Sequence, residues 1–147
     1  MILLARCSNL NDITIYDDTK STLTSTSTNC AMLSFFGSSG VRECFDDKVG
    51  FTPGCNDCWV ENVMCDLRSC VFTCLKMMLT GRKGKNNGDG GELNDCLRCD
   101  EQLCGPEFIR CAGANRRRAG IKSAIGRDEE EEVCKEVEEG WRDYAGD

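Results

Sequence analysis

Apolar positions recur at helical spacing between residues 56 and 79. They fall three or four residues apart and so line one side of a helix: Trp59, Val60, Val63, Met64, Leu67, Val71 and Phe72. Asp57 can cap the start of this helix, and Gly81 can end it. The pattern therefore predicts one helix over residues 56–79.

A second helical stretch follows the glycine-rich segment "GRKGKNNGDGG", which predicts a turn or loop. This second helix is expected from Glu92 to Leu103. Gly105 and Pro106 then interrupt it, and Pro106 suits the first position of a short third helix that ends at Cys111. The two longer helices, joined by the loop, predict an antiparallel helical hairpin.

The chain before this hairpin is polar, as in "TKSTLTSTSTN". Such a composition buries little apolar surface, so residues 1–43 are predicted to be an extended arm. The stretch "AMLSFFG" interrupts the arm and leaves two interpretations of Phe35 and Phe36. They fold back onto the protein's own core, or they anchor the arm in a partner, where aromatic side chains carry much of the binding energy.

Two blocks of opposite charge end the sequence. "NRRRAGIKSAIGR" carries five basic residues and no acid, and "DEEEEVCKEVEEGWRDYAGD" carries ten acids and two basic residues. Acids favour a helix start, so residues 128–140 are predicted to form an acidic C-terminal helix. Residues 135–147, which include the end of this helix, are predicted to be an acidic tail outside the hairpin domain. The blocks could neutralise each other, or Arg116, Arg117 and Arg118 could bind a partner that bears carboxylates.

Eight of the thirteen cysteines are arranged as mirror images about the loop. Spacings of 7, 5 and 4 residues lead toward it, and spacings of 3, 5 and 7 lead away from it. In an antiparallel hairpin, residues face each other where their numbers add up to a nearly constant value. The mirror therefore predicts four disulfides: Cys58–Cys111, Cys65–Cys104, Cys70–Cys99 and Cys74–Cys96. An exchange of partners in one or two of these pairs is the alternative. A straight helix would not keep the cysteines at positions 58, 65, 70 and 74 on one face, so the hairpin must twist or kink to form all four bonds.

Five cysteines fall outside the mirror. They are expected to tie the arm and the tail to the hairpin, with Cys134 bonded to Cys55 or to Cys44. Because thirteen is odd, one thiol is left over, and Cys7 on the arm is the expected one. Cys30 is left unassigned.

Metal and redox chemistry give a competing interpretation of the cysteines. Two C-x-x-C pairs, Cys55/Cys58 and Cys96/Cys99, could form a zinc site, but 37 residues separate them and the flanking cysteines would be unexplained. A thioredoxin-like site needs a β-α-β setting, which the pattern lacks. Disulfides are therefore preferred to a metal site, and they indicate an oxidising compartment.

The composition narrows the class of function. Histidine is absent, which removes the usual general base, and "GDGG" lacks the residues of a phosphate-binding loop, so no catalytic residue is predicted. The net charge of -7 argues against nucleic acid as a partner. A non-catalytic binding or structural protein is expected. Its aromatic core candidates are Trp59, Phe72, Phe108 and Trp141, and any two of these left outside the core would mark the contact surface.

Two stretches resemble a known family: "CNDCWVENVMCDLRSCVFTCLK" and "LNDCLRCDEQLCGPEFIRCAGANRRRAGI". They are similar to a cysteine-rich plastid protein family of red-lineage algae, and the resemblance covers the predicted hairpin domain, residues 44–134. It implies a linker that bridges photosystem I and its light-harvesting antenna, peripheral to the chloroplast thylakoid membrane on an oxidising lumenal face. A secreted disulfide-rich recognition domain is the alternative.

The resemblance also bears on pigment. No cofactor is required, but chlorophyll could bind. Without histidine, its magnesium would need an amide, carboxylate, carbonyl or water ligand. Asn62, Gln102 and Glu107 have suitable chemistry.

Overall fold

The computed structural model describes residues 5–80, 93–113, 115–123 and 125, and across them the chain is mainly helical. The α-helices are α1 Leu10–Thr19, α2 Leu23–Ala31, α3 Ser38–Lys48, α4 Pro53–Ser69, α5 Val71–Leu79, α6 Asp95–Leu103, α7 Gly105–Ala112 and α8 Asn115–Arg118. A 3₁₀ helix, Met32–Phe36, lies between α2 and α3. The predicted helix over residues 128–140 and the acidic tail lie outside the described residues.

Residues 10–36 are helical, which corrects the prediction of an extended arm. Their polar side chains support the helices: Thr19 and Ser27, for example, donate to carbonyl oxygens four residues earlier, at 2.6 and 2.7 Å. The few apolar residues of the segment do the packing, since Tyr16 and Leu23 are buried. Composition misled here because these hydroxyl groups are satisfied within the helix and need no water.

Asp12 joins α1 to the start of α4. Its carboxylate is fully buried and accepts hydrogen bonds from the backbone N–H of Thr52 at 2.7 Å, the Thr52 hydroxyl at 2.6 Å and the Asn9 amide at 2.5 Å. Asn9 also caps α1 by accepting from the Asp12 N–H at 2.9 Å. The buried charge is therefore fully hydrogen-bonded, as burial requires.

Each arm of the hairpin consists of two helices. The predicted helix over 56–79 begins earlier, at Pro53, and is interrupted at Cys70. The opposite arm is interrupted at Cys104, directly before Gly105 and Pro106. Cys70 has φ -119° and ψ -4°, and Cys104 has φ -108° and ψ -31°. Because of these two breaks, the disulfides on either side of Cys70 and Cys104 can all reach the opposite arm of the hairpin.

Asp57 does not cap this helix. Thr52 occupies the N-cap position, and Asp57 instead pairs with Arg42 of α3 and, at 3.9 Å, with Arg6.

All four mirrored disulfides are present, and two more tie down the N-terminal region. Cys7 bonds Cys55, and Cys30 bonds Cys44. The expectations that Cys7 is the leftover thiol and that Cys55 or Cys44 pairs with Cys134 are therefore wrong. Both errors follow from the assumption of a loose arm: once residues 10–36 fold, they bring Cys7 and Cys30 onto the hairpin. Cys134 lies outside the described residues.

Trp59 is the centre of the core. Its ring contacts those of Phe108, Phe45, Phe51 and Tyr16, with centroids 4.8, 5.6, 5.9 and 6.3 Å away. Its indole N–H donates to the Tyr16 hydroxyl at 3.0 Å. Trp59 packs against both buried apolar clusters of the protein, one around Cys7–Cys55 and one around Val41 and Phe45. One side chain thus joins the N-terminal helices to the hairpin.

The far end of the hairpin has no such core. Neither α5 nor α6 contains a buried residue. They are connected by two disulfides, Cys70–Cys99 and Cys74–Cys96. We call α5 and α6 the hairpin tip, and these two bonds the tip disulfides. Here covalent links substitute for apolar burial.

Candidate functional site

The 3₁₀ helix presents an apolar surface to solvent. With three residues per turn, Met32 stacks above Phe35 and Leu33 above Phe36, while the remaining residue, Ser34, faces inward. The exposed fractions of Phe35 and Phe36 are 63% and 83%, and Ser34 is buried. We call Met32, Leu33, Phe35 and Phe36 the 3₁₀ surface. The interpretation that the two phenylalanines fold back onto the protein's own core is therefore wrong.

Two neighbouring features fix the position of this surface. Cys30, at the end of α2, is bonded to Cys44 of α3, so the elements on both sides of the 3₁₀ helix are covalently joined. Gly37 then turns the chain with φ 102°, a backbone conformation that favours glycine. The aromatic pair is thus displayed on a short, constrained corner of the fold.

A second apolar surface lies on the hairpin tip. Phe72 and Leu79 are 86% and 87% exposed, and Leu75 is 40% exposed. At 3.6 residues per turn, Phe72 and Leu79 lie about 20° apart and point roughly opposite to Cys74, whose disulfide holds α5 to α6. We call Phe72, Leu75 and Leu79, together with exposed Lys76, the tip surface.

Phe72 is a correction to the predicted core. Trp59 and Phe108 pack in the core as expected, and Trp141 lies outside the described residues. The helical period alone put Phe72 with the core residues of α4. The break at Cys70 makes α5 a separate helix, and its disulfides turn the Phe72 side outward. The position of Cys70 and Cys74 was the signal in the sequence that could have revealed this surface.

A pair of carboxyl groups lies where α4 meets α6. Asp66 interacts with Asp100, and Asn62 donates its amide to Asp100 at 2.9 Å. Burial, and then the neighbouring Asp100, raises the pKa of Asp66 from 3.8 to about 8. One oxygen each of Asp66 and Asn62 is buried without a hydrogen-bond partner. At neutral pH the pair therefore holds a proton, which avoids two adjacent negative charges.

Asp66 gives a prediction about pH and stability. The folded protein holds the Asp66 proton up to a pH of about 8, whereas the unfolded chain releases it above the ordinary pKa of 3.8. The contribution of protonated Asp66 to the free energy of unfolding is therefore complete below pH 3.8 and is lost as the pH rises to about 8. The free energy of unfolding should thus fall across this window. Asp66→Asn should flatten the fall and stabilise the protein at pH 8 by about 1–2 kcal/mol.

Urea unfolding at a series of pH values measures this effect. Asp18→Asn serves as the matched control, because Asp18 is an exposed helical aspartate. Equal pH slopes for the Asp66 variant and the unmodified protein would contradict the prediction.

Sulfur and carboxylate atoms of Asp66, Cys70 and Cys104 lie within 4.8 Å of one another. Both sulfurs belong to disulfides and are not thiolates. The cysteines of the alternative zinc site are likewise all disulfide-bonded, to four different partners.

The three pigment candidates have different surroundings. Asn62 directs its amide to Asp100 inside the helix interface, where a magnesium ligand would need an open face. Glu107 is paired with Arg110 on the surface of α7. Gln102 is exposed on α6 and is the one of the three whose surroundings fit an external ligand.

The arginine run is only partly turned to solvent. Arg116 lies over the ring of Tyr16, 6.0 Å from its centroid, so it helps to hold α8 against α1. Arg118 is exposed. Arg117 belongs to α8, but its side chain lies outside the described part of the chain. A partner role thus suits Arg118 better than Arg116.

These observations define a small, helical, disulfide-rich protein that exposes two apolar surfaces within the residues the structure describes. The chain belongs to a family of unknown function (DUF8771), whose model matches residues 38–136. No curated protein and no solved structure shows significant similarity to it. Within the described residues, no helix has the length and apolar character needed to cross a bilayer.

Proposed function

We propose that this protein is a non-catalytic linker that bridges subunits of a photosystem I–antenna complex at the thylakoid membrane. One observation carries the bridging role: two exposed apolar surfaces stand on one covalently braced body. The 3₁₀ helix that carries the first surface lies against α2, α3 and α4, whereas the tip surface lies on α5, which contacts α6. A protein that joins two neighbours needs two such surfaces at a fixed separation.

The braces make the separation rigid. Five of the six disulfides have a cysteine in α4 or α5 or at the Cys70 junction between them, so one continuous arm connects the two surfaces. A preformed surface loses little conformational entropy when it binds. The disulfides also support an oxidising compartment, for which the thylakoid lumen is our proposal.

The photosynthetic setting rests on the resemblance of residues 44–134 to plastid proteins of red-lineage algae. Chlorophyll is not required for the linker role. If a pigment binds, Gln102 is the preferred candidate ligand, because it is exposed and the equally exposed Glu107 is paired with Arg110.

The test is co-migration with photosynthetic complexes. The oxidised protein is added to thylakoid membranes of a red-lineage alga, and the membranes are solubilised and separated on a density gradient. We expect it to migrate with photosystem I, and Phe35→Ser/Phe36→Ser should weaken this association at least tenfold, because exposed aromatic anchors contribute about 2 kcal/mol each.

Leu10→Ser is the matched control, because Leu10 is an apolar residue of α1 with 81% exposure. It should co-migrate like the unmodified protein. Failure of the protein to migrate with any thylakoid complex would rule out the linker. Recovery of the native protein from the culture medium would instead favour a secreted recognition domain.

A further inference from the structure

The tip surface is an apolar helix face that the described part of the fold leaves uncovered. α5, "VFTCLKMML", contains no buried residue although most of its side chains are apolar. Two disulfides hold its other side to α6. A folded protein gains nothing for its own stability from a displayed face of this kind, so the exposure points to a partner.

The charge around the tip surface indicates what kind of partner it is. Between Leu67 and Lys85 the sequence carries five basic residues and no acidic one, in a chain of net charge -7. Within the described residues, Lys76 stands beside the apolar face, and exposed Arg68 lies in the last turn of α4. The most apolar of the described helices thus lies in a stretch of the sequence whose charges are all positive.

We propose that the tip surface docks on the anionic headgroups of a lipid bilayer. Phe72, Leu75 and Leu79 enter the boundary between headgroups and acyl chains, and Lys76 remains at the level of the lipid anions. This inference rests on the proposed linker function, since it names the partner of one of the linker's two surfaces. α5 then lies in the plane of the membrane and does not cross it.

The chemistry of the face favours lipid over protein. Specific protein interfaces carry about one hydrogen bond per 100–200 Å². Of the four side chains of the tip surface, only Lys76 can form hydrogen bonds, as a donor through its charged ammonium group, and Phe72, Leu75 and Leu79 can form none. A row of apolar side chains beside a cation is instead typical of helices that lie in the membrane interface.

The tip disulfides suit this role because they fix α5 as a helix before it meets the membrane. Many interfacial helices fold only when they bind, and they lose conformational entropy at that step. α5 is already helical in the protein by itself. Its binding should therefore change the helix content of the chain very little.

The test uses the oxidised full chain and flotation with lipid vesicles. Vesicles of phosphatidylcholine that contain phosphatidylglycerol should carry the protein, and vesicles of phosphatidylcholine alone should carry it at least tenfold less. High salt should reduce the binding, because it screens the attraction to the anionic lipid. Absence of binding to the anionic vesicles would overturn the proposal.

Two variants separate the contributions to binding. Phe72→Ser/Leu79→Ser should lower binding to anionic vesicles at least tenfold, and Lys76→Glu should reduce the preference for phosphatidylglycerol. Both change exposed residues, and unchanged circular dichroism would show that the fold is kept. Binding that survives the loss of Phe72 and Leu79 would show that the tip surface is not the contact.

Phe35→Ser/Phe36→Ser is the matched control, because it removes two exposed apolar side chains elsewhere. It should float with vesicles like the unmodified protein, although it is expected to lose co-migration with photosystem I. Vesicle binding without co-migration would retain this inference and reject the linker. A third outcome would overturn the inference. The intact protein would co-migrate with photosystem I but would not bind vesicles, and the Phe72→Ser/Leu79→Ser variant would lose co-migration. The tip surface would then dock on protein.

Discussion

Removal of the two tip disulfides is expected to unfold the hairpin tip while the base of the protein stays folded. The tip has no buried residue, so few contacts other than these bonds oppose its unfolding. They span sequence separations of 29 and 22 residues, and in the chain-entropy model each contributes about 3.5 kcal/mol. The two loops are nested, so the joint contribution is smaller than the sum.

The measurement is amide hydrogen exchange on a variant with serine at all four tip cysteines. Peptides from α5 and α6 should lose protection by several orders of magnitude, whereas those from α1, α3 and α4 should keep theirs. Cys30→Ser/Cys44→Ser is the control, and it should loosen α2 and α3 but not the tip. Protection of α5 in the tip variant would show that noncovalent contacts are sufficient to hold it.

Replacement of Trp59 by alanine should have the largest effect of any single noncysteine substitution. The variant loses four aromatic contacts and leaves a cavity between the two apolar clusters. It also leaves the buried Tyr16 hydroxyl without its indole donor. Because Trp59 is half-buried, we expect the low end of the loss measured for buried aromatic side chains, about 3 kcal/mol of the free energy of unfolding.

Urea unfolding followed by circular dichroism measures this change. Trp59→Phe keeps a ring but not the indole N–H, and its effect should be intermediate. Phe72→Ala is the matched control, because that aromatic residue is 86% exposed, and it should shift stability by less than about 0.5 kcal/mol. Similar losses for Trp59→Ala and Phe72→Ala would refute the assignment of the core.

The disulfides of the hairpin could be read from the sequence because registry in an antiparallel pair is a relation between residue numbers. A disulfide also requires its two Cα atoms to come close, and in the four mirrored pairs they lie 4.6–5.8 Å apart. The mirror therefore determined both the partners and the helical hairpin that joins them.

The apolar period by itself placed Phe72 wrongly, although the positions of Cys70 and Cys74 held the signal that could have corrected it. The apolar period continues from Leu67 through Val71 and Phe72, and a period does not show whether a helix is interrupted within it. The turn at Cys70 changes which residues of the second half face inward. Phe35 and Phe36 of the 3₁₀ surface were also difficult to place from sequence. Hydrophobicity shows that burial of a side chain is favourable, but it does not show whether the protein's own core or a partner covers it.

By itself, the sequence determined the helical class and the four mirrored bonds, because each depends on residue type and spacing along the chain. Only the tertiary structure decided that the polar N-terminal segment folds onto the hairpin, that Cys7 bonds Cys55, and that two apolar surfaces remain uncovered. These features depend on contacts between segments distant in sequence, such as Asp12 with Thr52 and Tyr16 with Trp59. Such contacts have no local pattern, since each becomes favourable only when the rest of the core is in place.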